Sequence, residues 1–366
     1  MAKNANNKVA IAAVGGIESI INVARTAADA VTMRYAAGAL RNLTCNNDEN
    51  KAAVLKDGGV DALVFIVKNC DDDRSREEAA AALGNIARMA SDSHRLAVAE
   101  AGAIGPLVDC VEASAFDGCR TAAAGALAIL ACNDQNAARI AVDGGVYALA
   151  GLAVCARASE KAREEAAVAL RNLTCRSCSG NKREARHMLL PILMSRCAPR
   201  PSEESRLEKD LATTIADLVA VVDSSSNSDR ARASAAVALS NLTPPGNEAN
   251  ATTLVSAGGV APLVRFAREV RSQDGLYEAV NNIQCRTLTL CLTSLQIATL
   301  RNLTAHVLAW RQMRDAEVFP VLVRHLTGST RVVDQAVSAI ANLLNVVDNH
   351  IALKDAHGTL DFEKKG

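Results

Sequence analysis

The sequence predicts an all-α protein made of stacked helical repeats, and three observations predict it. A landmark ending in asparagine, ALRNLT at residues 39–44, recurs along the chain, at first with steps near 43 residues. A glycine corner follows most landmarks at a distance of 15 to 17 residues. The 366 residues are 49% hydrophobic but only 2% aromatic, and they are rich in alanine, which favours helices that pack closely. About seven three-helix units, partial at both ends, account for this pattern.

The landmark asparagine defines the repeat. Two independent landmarks that keep one phase indicate true internal repeats, and a single unit of this kind cannot bury its apolar face without neighbours. The third position carries isoleucine in place of asparagine. The aligned positions are Asn42, Asn85, Ile129, Asn172, Asn241, Asn302 and Asn342, separated by 43, 44, 43, 69, 61 and 40 residues.

Each unit is interpreted as three helices, and the first complete unit shows why. Residues 47–57 begin with capping side chains and end at a glycine pair, which predicts a short first helix. Gly58 and Gly59 predict a sharp corner, because glycine tolerates the backbone conformations that a corner requires. Residues 59–69 form an apolar second helix, residues 70–75 a polar connection, and residues 76–90 a longer third helix.

The domain prediction is one solenoid over residues 1–366, with regular repeats over 1–190 and irregular ones over 207–366. A step of 69 residues and a segment rich in proline, serine and charge predict a surface loop at 195–206. A step of 61 residues predicts a second insertion within 269–286. The sequence DAEV at 315–318 stands where the other units have DGGV.

Both ends of the chain match the interior of a repeat. Residues 7–17 align in phase with residues 50–60, and residues 351–366 stop inside a unit. Stacked repeats normally need polar caps at their ends. The sequence therefore predicts a fragment of a longer array, or ends that are covered by a partner or by self-association.

The period, the short first helix, the glycine corner and a third helix of the type AAxALRNLT resemble armadillo repeats, closest in character to those of vacuolar-adaptor and catenin-like proteins. The resemblance implies a right-handed α–α superhelix that acts as a non-catalytic scaffold or adaptor. It also implies that the repeated asparagine binds the main chain of an extended partner peptide, since a carboxamide both donates and accepts hydrogen bonds. The alternative is that these asparagines tie down neighbouring helices. The implied peptide-binding asparagines are Asn42, Asn85, Asn172, Asn241, Asn302 and Asn342.

Arginine directly precedes the asparagine at Arg41, Arg171 and Arg301. A guanidinium can pair with a carboxylate or phosphate of a ligand, so these three arginines are also candidate binding residues. The alternative is a solvated ion pair at the edge of the groove. Glutamates early in some third helices, such as Glu77 and Glu78, are expected to favour the positive end of the helix dipole, and the charge preference of the ligand stays open.

Nuclear-import adaptors of the family carry tryptophan four residues before the asparagine. Here that position holds other residues, most of them small, so a nuclear transport carrier is the less favoured alternative. A second alternative is a membrane-associated or ubiquitin-ligase adaptor whose other domain is missing from this sequence. The residues found in place of tryptophan are Gly38, Ala81, Gly125, Val168, Val237, Ala298 and Ser338.

Composition and motifs argue against other classes of function. The sequence contains neither a phosphate loop nor a nucleophile elbow, so we expect no enzyme and no cofactor. Cys175 and Cys178 form a C-x-x-C without a second pair, so we expect no metal site. A net charge of zero argues against nucleic acid as a partner. With no transmembrane segment or signal peptide in the sequence, we expect a cytoplasmic protein, with the nucleus as the alternative.

Overall fold

The computed structural model describes residues 5–89, 91–174, 201–243, 248–269 and parts of 300–343. The described residues form α-helices and connecting turns and include no strand. They divide into two compact units, residues 1–207 and 208–366, which are described separately below. Helix α13 crosses the boundary between the two units.

The first unit repeats a short helix, a second helix and a long third helix. The third helices α3, α6, α9 and α12 pack one on the next along the chain. The helices are α1 (Ala5–Ala13), α2 (Gly16–Thr26), α3 (Ala30–Thr44), α4 (Asp48–Lys56), α5 (Gly59–Asn69), α6 (Asp73–Ala87), α7 (Asp92–Glu100), α8 (Ile104–Ala113), α9 (Asp117–Leu130), α10 (Asp134–Val142), α11 (Gly145–Val154) and α12 (Glu160–Thr174).

The second unit contains the same kinds of helix with longer intervals between them. Its described helices are α13 (Pro201–Asp223), α14 (Asp229–Leu242), α15 (Glu248–Ser256), α16 (Val260–Glu269), α17 (Val318–Arg324) and α18 (Thr330–Leu343). Arg232 on α14 is buried and joins two other helices. Its Nε donates to the carbonyl of Val222 at 2.9 Å, and its Nη2 pairs with Glu269 at 2.7 Å.

Two predicted boundaries differ from the structure. The third helix predicted at 76–90 spans Asp73–Ala87, because the Asp72 side chain accepts a hydrogen bond from the Ser75 amide and caps the helix three residues earlier. The loop predicted at 195–206 is helical from Pro201 onward. Proline suits the first helical turn, and the glutamates after it favour a helix N-terminus. Residues 195–200 and most of 269–286 lie outside the described residues.

Corners between first and second helices are fixed by a residue in the left-handed region, where glycine carries no Cβ penalty. Gly58 has φ of 73°, and the guanidinium of Arg25 donates to its carbonyl at 2.9 Å. The DAEV segment keeps this corner without glycine, since Glu317 has φ of 55° and Arg268 donates to its carbonyl at 3.3 Å. The glycines with positive φ are Gly15, Gly58, Gly102, Gly144 and Gly258.

Small residues bring the third helices together. Ala79, Ala82 and Ala126 are buried, and a Cβ placed on Gly84 would lie only 3.4 Å from the Cα of Ala126. Side chains this small let the backbones of α6 and α9 approach closely, which brings backbone carbonyls of one third helix within reach of side chains on the next. This close packing positions the candidate site.

Candidate functional site

One stripe of each third helix stays partly open. Around Asn42, Asn85 and Ile129, the landmark position and the positions four and seven residues before it are half-buried or exposed, while most of the residues between them are buried. On α12 most of the stripe is closed, because residues 166–173 are all buried and only Glu165, seven residues before the landmark, is half-buried. We call the open positions on α3, α6 and α9 the third-helix face. Its members are Tyr35, Gly38, Asn42, Glu78, Ala81, Asn85, Ala122, Gly125 and Ile129.

Two of the landmark asparagines join successive third helices. Nδ2 of Asn85 on α6 donates to the carbonyl oxygen of Arg41 on α3 at 3.1 Å. Nδ2 of Asn172 on α12 donates to the carbonyl oxygen of Ala128 on α9 at 2.7 Å. Both bonds reach a residue 44 positions earlier in the chain. The alternative interpretation, that these asparagines tie down neighbouring helices, is therefore observed at both positions.

The other two positions in the first unit differ from these. Asn42 is half-buried, and its amide makes no hydrogen bond to any residue that the structure describes. Ile129 has no amide, and its Cδ1 would lie 3.7 Å from a Cβ placed on Gly84. Gly84 directly precedes the landmark Asn85, as Arg41 precedes Asn42 and Ala128 precedes Ile129. It therefore holds the place of the acceptor residue, and Ile129 lies beside it without an amide to donate.

The two ends of the Asn85 amide have different surroundings. One N–H is bonded to α3, but Oδ1 accepts no hydrogen bond from the described residues, and the side chain is half-buried. An amide in this state can join the helices and still accept one hydrogen bond from a ligand. The surroundings of Asn85 are therefore compatible with both roles that the sequence left as alternatives, and the bond to α3 is the one observed.

Asn172 is enclosed at both ends. Its Oδ1 accepts from Nε of Arg171 at 3.2 Å and from Nη2 at 2.9 Å. The exposed fractions are only 8% for Asn172 and 4% for Arg171. This arginine is interior, whereas the sequence predicted a position at a groove edge or on a ligand.

Arg41 forms an ion pair between two repeats. Its Nε lies 3.0 Å from Oε2 of Glu78 on the next third helix. That oxygen has no well-aligned hydrogen bond among the described residues, so the contact is an ion pair. A Cβ placed on Gly38 would lie 3.2 Å from Oε2, so the missing side chain leaves room for the carboxylate. Glu78 is the sixth residue of α6 and lies beyond the first helical turn. The predicted interaction with the positive end of the helix dipole therefore does not apply to it.

Burial raises the pKa of the Glu78 carboxyl above its ordinary value, and the neighbouring charge of Glu77 adds to this effect. The positive charges of Arg41 and Arg34 oppose the increase but do not cancel it. The face at this point therefore holds a carboxylate whose ionised form is partly desolvated. We expect such a group to keep its arginine partner rather than exchange it easily for a ligand.

The remaining candidate positions lie in the second half of the chain. Asn241 on α14 and Asn342 on α18 are half-buried, and each interacts with another residue in the chain. Arg301 and Asn302 lie outside the described residues. For these four positions peptide binding stays a prediction.

The sequence analysis missed a second set of asparagines, near the start of the first helices. Nδ2 of Asn50 donates to the carbonyl of Leu43 at 3.1 Å, that of Asn136 to Arg95 at 2.9 Å, and that of Asn250 to Leu242 at 2.7 Å. All three are buried. The recurring spacing N-x-x-N, seen at 47–50 and 133–136, could have revealed them.

Two segments of the chain match the model of the Armadillo/beta-catenin-like repeat, residues 47–88 and 91–132. These two segments are armadillo repeats. The helices α4 to α6 fall within the first matched armadillo repeat, and α7 to α9 within the second. No curated protein sequence matches the chain.

Solved structures of armadillo proteins share the fold. A structure from work on a phosphorylation switch between cadherin and beta-catenin is 21% identical, covers 95% of this chain and 60% of the other, and has a TM-score of 0.72. A computationally designed armadillo repeat protein for modular peptide recognition is 18% identical over 78% of this chain and 99% of the other, with a TM-score of 0.58. Another designed armadillo repeat protein, in complex with the peptide (KR)4, has the same identity and coverage and a TM-score of 0.56.

The described residues offer neither a metal-binding cluster nor a single membrane-spanning helix. Within the described ranges, no three histidine, cysteine, aspartate or glutamate side chains form a group that could hold a metal ion. No single described helix is long and apolar enough to cross a membrane. Two bent pairs, α1 with α2 and α10 with α11, meet the length and composition test only when each pair is taken together.

Proposed function

We propose that the armadillo chain is a non-catalytic scaffold that holds an extended peptide segment of a partner protein against the third-helix face. Asn42 and Asn85 bind the peptide main chain. The observation that carries the proposal is the open state of these two amides among the described residues, on a stripe that is partly exposed from α3 to α9. Designed armadillo proteins that recognise peptides, with similar backbones, support it.

The proposed contacts use the chemistry of an amide. Asn42 can donate to a peptide carbonyl and accept from a peptide N–H, whereas Asn85 accepts through Oδ1 while its Nδ2 bond holds α3 and α6 together. Asn172 and Arg171 contribute to stability and not to binding. We further propose that this scaffold acts in the cytoplasm, with the nucleus as the alternative.

The experiment begins with a display library of random 12-residue peptides selected on the immobilised full chain. Peptides that survive moderate salt are labelled, and their Kd is measured by fluorescence polarisation. The test variant is Asn42→Ala with Asn85→Ala. The matched control is Asn22→Ala with Asn69→Ala, which removes two exposed amides from the second helices α2 and α5.

Loss of two main-chain hydrogen bonds, worth about 1 kcal/mol each, should raise Kd about thirtyfold in the test variant. The control should stay within about twofold of the parent chain. Circular dichroism confirms that both variants are folded. The proposal is wrong if no peptide is enriched, or if the test variant binds as tightly as the control.

A further inference from the structure

We infer that the bound segment carries two apolar side chains about six residues apart, one seated on Tyr35 and the other on Ile129. This inference rests on the proposed function and specifies the partner that the third-helix face accepts. The partner is an extended segment with an apolar residue at each end and no required charge between them.

Ile129 ends the series of amides on the open face. The stripe on α9 consists of Ala122, Gly125 and Ile129, all half-buried, and none of these side chains carries a hydrogen-bonding group. An extended segment that leaves Asn85 meets no amide on α9. On α12 the landmark position and the position four residues before it are buried, and Glu165, seven residues before the landmark, is half-buried. The contact that α9 offers is apolar, with Ile129 as its largest side chain.

Tyr35 provides the contact at the opposite end. It lies seven residues before Asn42 on the same face of α3, and 68% of it is exposed. Arg34 lies over the ring at 5.4 Å, which holds one side of the aromatic group. Exposed aromatic residues of this kind contribute large contact area at low entropic cost.

The charged side chains between the two anchors form an ion pair. Arg41 and Glu78 neutralise each other across α3 and α6 at 3.0 Å. Asn42 and Asn85 lie beside this pair and are neutral. A ligand therefore meets amides in the middle of the face and apolar side chains at both ends.

The spacing of the anchors follows from helix packing. Adjacent packed helices lie about 8–10 Å apart, so the two steps from α3 to α9 cover about 18 Å. Tyr35 lies seven residues from the landmark level, about 10 Å along the helix axis, so the two anchors are roughly 20 Å apart. An extended chain advances about 3.3 Å per residue. The two apolar side chains of the ligand should therefore be separated by about six residues.

The test uses the peptides selected in the display experiment and two variants of the full chain. Ile129→Ala shortens the apolar side chain without adding an amide that could itself bind the peptide main chain. Tyr35→Ser removes the aromatic ring. The matched controls are Val142→Ala and Tyr147→Ser, which change side chains that are 57% and 60% exposed and lie off this face.

Enriched peptides should share two apolar positions about six residues apart. Ile129→Ala and Tyr35→Ser should each weaken their binding about tenfold, and the controls less than about twofold. When alanine replaces one of the two apolar residues of a peptide, the variant at the anchor that this residue contacts should not weaken binding any further.

The outcomes separate the two claims. If no peptide is enriched, both the proposed function and this inference are overturned. If the peptides depend on Asn42 and Asn85 but lack the apolar pair, the inference alone is wrong. The same conclusion follows if the anchor variants weaken peptides with and without the apolar residues equally.

Discussion

The landmark asparagines should differ in their contribution to stability by several kcal/mol, although the sequence presents them as equivalent. The perturbation is a single alanine substitution at Asn172, Asn85 or Asn42. Asn172 is 8% exposed and makes hydrogen bonds through both ends of its amide. Asn85 makes one bond and is half-buried. The expected order of destabilisation is therefore Asn172, then Asn85, then Asn42.

The magnitudes follow from the bonds that are lost. Removing the bond from Asn172 to the Ala128 carbonyl costs about 1 kcal/mol, and removing the acceptor for the buried Arg171 guanidinium costs about 2 kcal/mol more. The total for Asn172→Ala is about 3 kcal/mol. Asn85→Ala should cost about 1 kcal/mol, and Asn42→Ala less than about 0.5 kcal/mol.

The assay is urea unfolding followed by circular dichroism, with hydrogen exchange of the α9 and α12 amides to locate the change. A double variant that also replaces Arg171 by alanine should lose less than the sum of the two single variants, because both single variants remove the same hydrogen bonds between Arg171 and Asn172. Equal losses at Asn172, Asn85 and Asn42, or the largest loss at Asn42, would refute the assignment of these hydrogen bonds.

Three further predictions concern corners and caps. Glu317→Gly should stabilise the chain by about 1 kcal/mol, seen as a higher urea midpoint, because glycine relieves the positive φ; an unchanged midpoint contradicts this. Asp72→Ala should cost about 1 kcal/mol at neutral pH. Hydrogen bonds lower the pKa of Asp72 below 3.8, so the stability that its carboxylate contributes is present above pH 3.8 and is lost as pH falls through the lowered pKa. If the difference in unfolding free energy between this variant and the parent chain does not change with pH, Asp72 does not act as the cap. Gly58→Ala should unfold at a lower urea concentration than Gly102→Ala. The new Cβ at Gly58 would lie 2.3 Å from the Arg25 guanidinium, whereas a Cβ at Gly102 meets no atom within 4 Å. Equal urea midpoints would show that the contact with the guanidinium is unimportant.

Much of the fold could be predicted from spacing alone. Landmarks that keep one phase identify the third helices and the corners, because every repeat buries the same face and turns at the same point. The corner at Glu317 shows the limit of a residue-based rule. There the contact from Arg268 and the packing of the following helix hold the left-handed conformation that glycine adopts elsewhere without strain.

The start of α6 could not be predicted from periodicity. Residues 70–75 contain three consecutive aspartates, and each can cap a helix. The structure selects Asp72, whose carboxylate bonds the Ser75 amide while the Ser75 hydroxyl donates to the Ala30 carbonyl of α3. A contact with the preceding repeat therefore decides which of the three aspartates caps the helix, and such a contact is not visible in the local sequence.

The sequence locates the landmark asparagines on the third helices, but it does not show which of them are buried and hydrogen-bonded. Residues 41–45 and 171–175 have the identical sequence RNLTC. Asn42 is nevertheless half-buried and open, and Asn172 is buried and bonded at both ends. The difference arises from the surroundings of α3 and α12, which a local pattern cannot encode. Glu78 likewise looked like a residue of the first helical turn, yet it pairs with Arg41 on another helix.

The use of asparagine at the landmark allows binding and stacking to depend on each other. Asn85 donates one N–H to α3, and its Oδ1 accepts no hydrogen bond from the described residues. In the proposed complex, a peptide N–H that bonds Oδ1 would also polarise the amide that joins the two repeats. Such chains of hydrogen bonds strengthen one another. A peptide bound across Asn42 and Asn85 should therefore slow hydrogen exchange at the contact between α3 and α6 more than at that between α9 and α12. Equal protection at both contacts would show that peptide binding does not strengthen the contact between α3 and α6.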